Sequence, residues 1–132
     1  LFGDVGNNFV RTMLKLAKER DTLRVVNDQL GSPTYALDLA TIIDRLIRTE
    51  AYGIYHGTNE GSCTWFDFTK EILELTGQEK VKVEPITTEE LNRPAPRPQY
   101  SILGKEGLRM VGIEVPHYRD ALKRFMAKNI LV

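Results

Sequence analysis

The sequence has little that would tie it to nucleic acid, to a membrane or to an oxidising compartment. Its 18 Lys and Arg residues balance 18 Asp and Glu, so the formal net charge is zero and binding driven by bulk positive charge is not expected. The single cysteine, Cys63, cannot form an internal disulfide, and no apolar run approaches the roughly 20 residues of a membrane span. We therefore expect a cytoplasmic protein with neither a nucleic-acid nor a membrane partner.

Motifs for cofactor and metal chemistry are also missing. The 132 residues contain no G-x-G-x-x-G loop, no P-loop and no Tyr-x-x-x-Lys pair, while His56 and His117 lack metal-ligand spacing. The first residue, Leu1, is not Met, and no signal peptide follows it. We expect the chain to begin inside a longer polypeptide and to be unable, alone, to bind a nicotinamide cofactor fully or to relay a proton.

What is present is a regular alternation of apolar and polar residues. Helical periodicity predicts helices over residues 8–20, 35–50 and 65–76 and a last helix from Tyr118, and the capping-box spacing from Thr87 to Glu90 predicts a short helix. Strands are predicted over residues 23–26, 53–57 and 81–84, of which 53–57, apolar and bounded by glycines, should be central. Strands that alternate with helices favour parallel pairing and an α/β fold.

Two loops offer candidate ligand contacts. Residues 28–34 combine a glycine, a proline and polar side chains after a strand, where open α/β sheets bind ligands. The alternative is an ordinary turn in which Ser32 or Thr34 caps the next helix. Arg97, between two prolines, offers a planar fork of donors that suits a diphosphate or carboxylate, with Ser101 nearby; the alternative is a solvated arginine in a connector.

Two further features favour structural over chemical roles. Cys63 has no basic neighbour to lower its pKa, which favours a packed thiol over a nucleophile. Trp65, Phe66 and Phe68 at a helix start are interpreted as core anchors, and Arg93 as a surface residue.

Six strings follow one another in order along the chain. They are Leu1-Phe2-Gly3, Asn7-Asn8-Phe9-Val10-Arg11-Thr12-Met13-Leu14 with Leu16-Ala17-Lys18-Glu19-Arg20, Val26-Asn27-Asp28-Gln29-Leu30-Gly31-Ser32-Pro33-Thr34, Gly53-Ile54-Tyr55-His56, Ser62-Cys63-Thr64-Trp65-Phe66-Asp67-Phe68, and Arg97-Pro98 with Ser101. Together they resemble the downstream half of the dTDP-4-dehydrorhamnose reductases, a family of extended short-chain dehydrogenase/reductases. The resemblance covers residues 1–132 and departs at Gly104, where many relatives carry Asp or Asn.

The resemblance implies the carboxyl-terminal part of a Rossmann-like doubly wound parallel sheet together with the smaller substrate-binding lobe. It implies reduction of the 4-keto group of dTDP-4-dehydro-L-rhamnose to dTDP-L-rhamnose with NADPH or NADH, the catalytic Tyr-x-x-x-Lys and most of the cofactor site lying upstream. A divalent-metal requirement is left open. The implied cofactor contacts are Leu1 and Phe2, and the implied substrate contacts are Asn8, Gln29, Thr34, Arg97 and Ser101.

Other functions remain open on these residues. Relatives of the same fold serve as non-catalytic, dinucleotide-binding regulatory subunits of methionine adenosyltransferase, and an isolated nucleotide-sugar-binding module is a third possibility. Because the 53–57 strand would lack its neighbours, we expect unpaired backbone groups, exposed apolar surface, and pairing with another chain or a homo-oligomer.

Overall fold

The computed structural model describes residues 1–130, which form an α/β fold. Helices and strands alternate along most of this range, as the sequence predicts. The elements are α1 Phe9–Glu19, β1 Thr22–Val26, β2 Leu30–Gly31, α2 Ala36–Leu46, β3 Cys63–Thr64, α3 Trp65–Leu75, β4 Lys82–Ile86, α4 Thr88–Leu91, α5 Glu106–Met110 and α6 Tyr118–Asn129.

The starts of α1, α3 and α4 follow local capping signals. Asn8 precedes α1, and its side chain accepts a hydrogen bond from the Arg11 N–H. Capping boxes open α3 and α4, with the Thr64 and Thr87 side chains each accepting from the N–H three residues later. The predicted helices are thereby confirmed, with ends that differ by up to four residues.

The parallel pairing expected of an α/β fold is confirmed between β1 and β4. Their register runs from Thr22 opposite Lys82 to Val26 opposite Ile86. The two-residue strands β2 and β3 form a short antiparallel pair, with Leu30 opposite Thr64, that no local sequence pattern predicts. This pair joins the loop after β1 to the start of α3.

An aromatic cluster lies at the centre of the main core. The Phe2 ring stacks on Tyr35 at a centroid distance of 5.4 Å and meets Phe125 edge-on at 5.4 Å. Phe68 is 1% exposed, which confirms it as a core anchor, whereas Trp65 and Phe66 are half-buried. The remaining buried members of this cluster are Val10, Leu14, Cys63, Ile72, Tyr118, Ala121, Leu122 and Met126.

A buried polar group ties α2 to α6. The Asn59 side chain is fully buried; its Oδ1 accepts from the Tyr35 N–H at 2.8 Å and its Nδ2 donates to Asp38 at 2.7 Å. Arg124 on α6 then donates two hydrogen bonds to the Asp38 carboxylate, at 2.9 and 2.7 Å. Burying these polar atoms is tolerated because each has a partner.

The predicted central strand at residues 53–57 is wrong. Gly53 has φ 151°, Ile54 is 94% exposed, and within residues 1–130 no backbone hydrogen bond joins residues 53–58 to another segment. An apolar sequence supplies the side chains of a strand but not the neighbouring N–H and C=O groups that a strand requires. The segment therefore runs over the surface without a sheet to join.

Candidate functional site

A cleft of about 380 Å³ lies between α1, β1 and the segment that follows α4. It combines apolar, amide, hydroxyl and arginine side chains. Its lining consists of Phe9, Met13, Arg24, Val25, Val26, Gln29, Trp65, Thr88, Leu91, Arg93, Ala95, Pro96 and Arg97.

Two aromatic rings and several aliphatic side chains supply the apolar part of the cleft. The Phe9 ring, from α1, lies 4.6 Å from the Trp65 ring at the start of α3. Phe9 comes directly after the Asn8 cap, and Trp65 directly after the Thr64 capping box, so both positions depend on where their helices begin. Such a surface suits a flat, partly apolar group such as a nucleobase.

Arginines supply the positive charge of the cleft. Arg93 and Arg97 come from the proline-rich segment after α4, and neither lies within 4.0 Å of a carboxylate oxygen of any described residue. Arg24, from β1, is 3.9 Å from Glu90. Two guanidinium groups with no carboxylate partner beside an apolar wall favour an anionic ligand such as a diphosphate.

The buried Gln29 and the half-buried Thr88 form a polar corner of the same cleft. Gln29 is 7% exposed, and its Nε2 donates to Thr88 Oγ at 3.0 Å. Thr88 in turn donates from its N–H and its hydroxyl to the carboxylate of Asp28. These hydrogen bonds, the backbone one foremost, hold the pKa of Asp28 below its ordinary value.

Of the site residues that the sequence predicts, the structure brings Gln29 and Arg97 together in the cleft. Ser101 is hydrogen-bonded to β2. Its N–H and its hydroxyl both donate to the Leu30 carbonyl, at 2.9 and 3.2 Å. Ser101 thus anchors the proline-rich segment to the residue after Gln29, and it does not line the cleft.

The other predicted contacts lie outside the cleft. Asn8 donates to the Gly3 carbonyl at 3.0 Å besides capping α1. Thr34 is 3% exposed, and its hydroxyl donates to the Ser32 carbonyl. Neither Ser32 nor Thr34 caps α2, which begins after Tyr35 without a side-chain cap.

The two predicted cofactor contacts differ sharply in exposure. Leu1 is 75% exposed, whereas Phe2 is 3% exposed within the aromatic core. The Phe2 N–H donates to the Thr34 carbonyl and its carbonyl accepts from the Ala36 N–H, so backbone and ring are both engaged. Leu1 and Phe2 stay predicted cofactor contacts, the first with an exposed side chain and the second within the core.

Sequence reasoning missed part of the lining. Thr88 directly follows the Thr87 capping residue and carried no separate signal, because its partner Asp28 lies 60 positions away. The sequence indicates a core position for Trp65, which also lines the cleft, and the exposed Arg93 lines it too. Phe9 and Met13 belonged to the apolar stripe of α1, whose outer edge faces the cleft.

Cys63 lies in the core, as interpreted from the sequence. It is 7% exposed, and burial raises the pKa of its thiol to about 12. Among residues 1–130, no three His, Cys, Asp or Glu side chains converge as metal ligands would. No helix in this part of the chain combines the length and hydrophobicity that a bilayer crossing requires.

The architecture matches one part of known sugar-nucleotide reductases. A crystal structure of dTDP-4-dehydrorhamnose reductase from Bacillus anthracis, in complex with NADP, superposes with a TM-score of 0.93 at 46% identity, over 97% of this chain and 46% of that one. A dTDP-4-dehydrorhamnose reductase structure from Clostridium acetobutylicum gives a TM-score of 0.89 at 45% identity, over 92% of this chain and 44% of that one.

Sequence comparison agrees with the fold. The spore coat polysaccharide biosynthesis protein SpsK of Bacillus subtilis is 44% identical over 98% of this chain and 45% of its own length. The dTDP-4-dehydrorhamnose reductase of Streptomyces griseus is 41% identical over 92% of this chain and 42% of its own length. The family described as the RmlD substrate binding domain matches residues 1–130, and the chain belongs to that family. It spans less than half the length of these curated relatives.

Proposed function

We propose that this chain is the substrate-side part of a dTDP-4-dehydrorhamnose reductase. In this proposal it binds a dTDP-sugar in the cleft while the 4-keto group is reduced at the expense of NADPH or NADH, in the cytoplasm. The observation that carries the proposal is the cleft itself, in which an aromatic wall, a buried amide and two arginines without a carboxylate partner among residues 1–130 meet. The relatives named for this reaction support it.

In this proposal the apolar part and the arginines of the cleft bind different parts of the nucleotide. The nucleobase would pack against Phe9 and Trp65, which bury apolar area at little cost in side-chain entropy. The diphosphate would lie against Arg97 and Arg93, where charge-assisted hydrogen bonds are strongest. Prolines at positions 94, 96 and 98 restrict the backbone that carries these arginines.

The reduction itself would need groups that these 132 residues do not hold. A nicotinamide cofactor supplies the hydride in such reactions, and a proton donor must protonate the keto oxygen. The chain has no Tyr-x-x-x-Lys pair to protonate that oxygen. In this proposal the chain alone binds the sugar nucleotide and is catalytically inactive.

The proposal also assigns an occupant to the open surface, which we define as the exposed apolar side chains of α2 and of the segment after it. These are Leu37, Ile43, Ile47, Tyr52 and Ile54, and they are 50% to 94% exposed. Because the relatives are about twice as long as this chain, we infer that the cofactor-binding half of the enzyme covers this surface. Without that half, we expect the chain to pair with another copy.

Titration with dTDP tests the proposal. We expect dTDP to bind the 132-residue chain, and Arg97→Ala to weaken binding by about 1.5 to 3 kcal/mol through loss of a charge-assisted hydrogen bond. Arg20→Ala, an exposed arginine at the end of α1 and outside the cleft, is the matched control. Isothermal titration calorimetry on the three proteins gives the affinities. Equal affinity of Arg97→Ala and wild type would remove Arg97 from the diphosphate site, and no binding of dTDP to any of them would contradict the proposal.

A further inference from the structure

Three residues in the cleft form a directed chain of hydrogen bonds. The Asp28 carboxylate accepts from the Thr88 hydroxyl at 2.7 Å and from the Thr88 N–H at 2.9 and 3.0 Å. The same Thr88 hydroxyl lies 3.0 Å from the side-chain amide of Gln29. The three side chains come from the loop after β1 and from α4, which are 59 or 60 positions apart.

The direction of this chain is fixed by chemistry. A carboxylate has no hydrogen to give, so the single hydrogen of the Thr88 hydroxyl goes to Asp28. The hydroxyl can then only accept from Gln29, which requires that the amide turn its NH₂ toward Thr88. Asp28 is a carboxylate near neutral pH, as an aspartate of ordinary pKa is, and the same hydrogen bonds hold its pKa below that value.

The other end of the Gln29 amide is therefore an acceptor. Among the described residues none donates a hydrogen bond to Gln29 Oε1, and this oxygen is not among the buried polar atoms that lack a partner. Since Gln29 is 7% exposed and lines the cleft, the solvent that this oxygen meets is that of the cleft. A ligand group that reaches it must be a donor.

We propose that Gln29 reads the base of the bound nucleotide by accepting a hydrogen bond from the imide N3–H of thymine or uracil, and that Asp28 and Thr88 are positioning residues that fix this polarity. The inference rests on the proposed function, because it takes the ligand to be a nucleoside diphosphate. Cytosine carries an unprotonated N3, so its acceptor would face the Gln29 acceptor. Turning the amide over would instead place its oxygen against the Thr88 oxygen, which has no hydrogen left to offer.

Titration with dTDP and dCDP, which share the sugar and the diphosphate, isolates the base. We expect the wild-type chain to bind dTDP about tenfold or more tighter than dCDP, as one mismatched buried hydrogen bond costs. Thr88→Val keeps the shape of the side chain and removes the hydroxyl, which frees the Gln29 amide to turn. In that variant the ratio of the two affinities should fall toward one, chiefly because dCDP binds better.

Asp28→Asn is the second variant, in case Thr88→Val fails to fold. An amide at position 28 can donate to the Thr88 hydroxyl, whose hydrogen then becomes available to Gln29 Oε1, so the preference for dTDP should fall or invert. If the two residues had only a structural role, each variant would bind both nucleotides more weakly and the ratio of the two affinities would not change. Thr41→Val, on the exposed side of α2, is the matched control and should keep the wild-type ratio.

The outcomes separate this inference from the proposed function. Equal affinity of the wild-type chain for dTDP and dCDP would overturn the reading of the base by Gln29 and leave the cleft as a nucleotide site. Failure of both nucleotides to bind would overturn the proposed function and the inference with it. An unchanged ratio in both Thr88→Val and Asp28→Asn would overturn the positioning role of the two residues.

Discussion

The two sides of this molecule differ in how far the chain completes its own packing. On one side, α1, α3 and α6 enclose an aromatic core in which Phe125, Val10 and Ile72 are fully buried. On the open surface, Ile54 is 94% and Ile47 74% exposed, although these side chains have the same chemistry. Apolar residues that a chain leaves exposed in a cluster mark a surface built for a further contact.

The same chain thus holds an enclosed core and, on its other side, apolar side chains that nothing in the described residues covers. The cleft lies on the enclosed side, so we expect nucleotide binding to need only the residues that line the cleft and the core beneath them. The open surface would then serve assembly, because its apolar side chains add nothing to the cleft. Binding and assembly can accordingly be separated by mutation.

The largest effect is expected from truncation inside the enclosed core. Phe125→Ala should lower the free energy of unfolding by roughly 3 to 5 kcal/mol, because it leaves a cavity where Phe2 and Tyr35 now contact the ring. Ile54→Ala is the matched comparison on the open surface and should change it by no more than about 0.5 kcal/mol. Urea denaturation followed by circular dichroism measures both, and similar losses in the two variants would contradict the distinction between the two sides.

A double variant that adds two lysines tests the open surface. The double variant Ile47→Lys with Ile54→Lys should bind less of a hydrophobic dye, which lowers the dye fluorescence, and the protein should self-associate less. Both side chains are exposed, so no core contact is lost. Affinity for dTDP should be unchanged. Dye titration and sedimentation velocity give the readouts, with Lys15→Arg on α1 as a control; undiminished dye binding would show that the open surface is not the apolar site.

The smallest effect is expected in how the free energy of unfolding depends on pH under acid conditions. Asp4 accepts hydrogen bonds from Lys128, Tyr35 and Asn129, which lower its pKa from 3.8 to about 2, the bond from Lys128 having the largest effect. Because the folded pKa lies below the unfolded value, Asp4 contributes stability above about pH 4 that is lost as the pH falls toward 2.

The test compares the wild type with Asp4→Asn. The variant should unfold with a shallower dependence on pH between about 4 and 2, since it lacks the carboxylate that takes up a proton on unfolding. Thermal unfolding at several pH values measures the slopes. Parallel curves for the two proteins would remove Asp4 from the acid response.

Helices and capping boxes could be predicted because their signals are local. The apolar stripe of α1, the Thr64 capping box and the Tyr118 periodicity each lie within one turn or two of the element they define. The strand predicted over residues 53–57 is wrong because its formation does not depend on local signals alone. A strand depends on a neighbour, and the sequence of the segment says nothing about whether that neighbour is present.

The candidate site was predictable only in part. Gln29 and Arg97 could be singled out from their loops, since a glycine and prolines mark backbone that is held in a defined shape. The link from Asp28 to Thr88 spans 60 positions and arises from the parallel pairing of β1 with β4, so no local pattern reveals it. Asn8 and Thr34 show the converse, because polar residues in a loop also satisfy the backbone around them.

The packed thiol of Cys63 has a practical consequence. It is the only cysteine of the chain, it is 7% exposed, and its pKa of about 12 leaves almost no thiolate at neutral pH. Maleimide reagents should therefore pass it by in the native protein. A fluorophore attached through Ile54→Cys would then report from a single position when a second polypeptide arrives, without any need to remove the natural cysteine first.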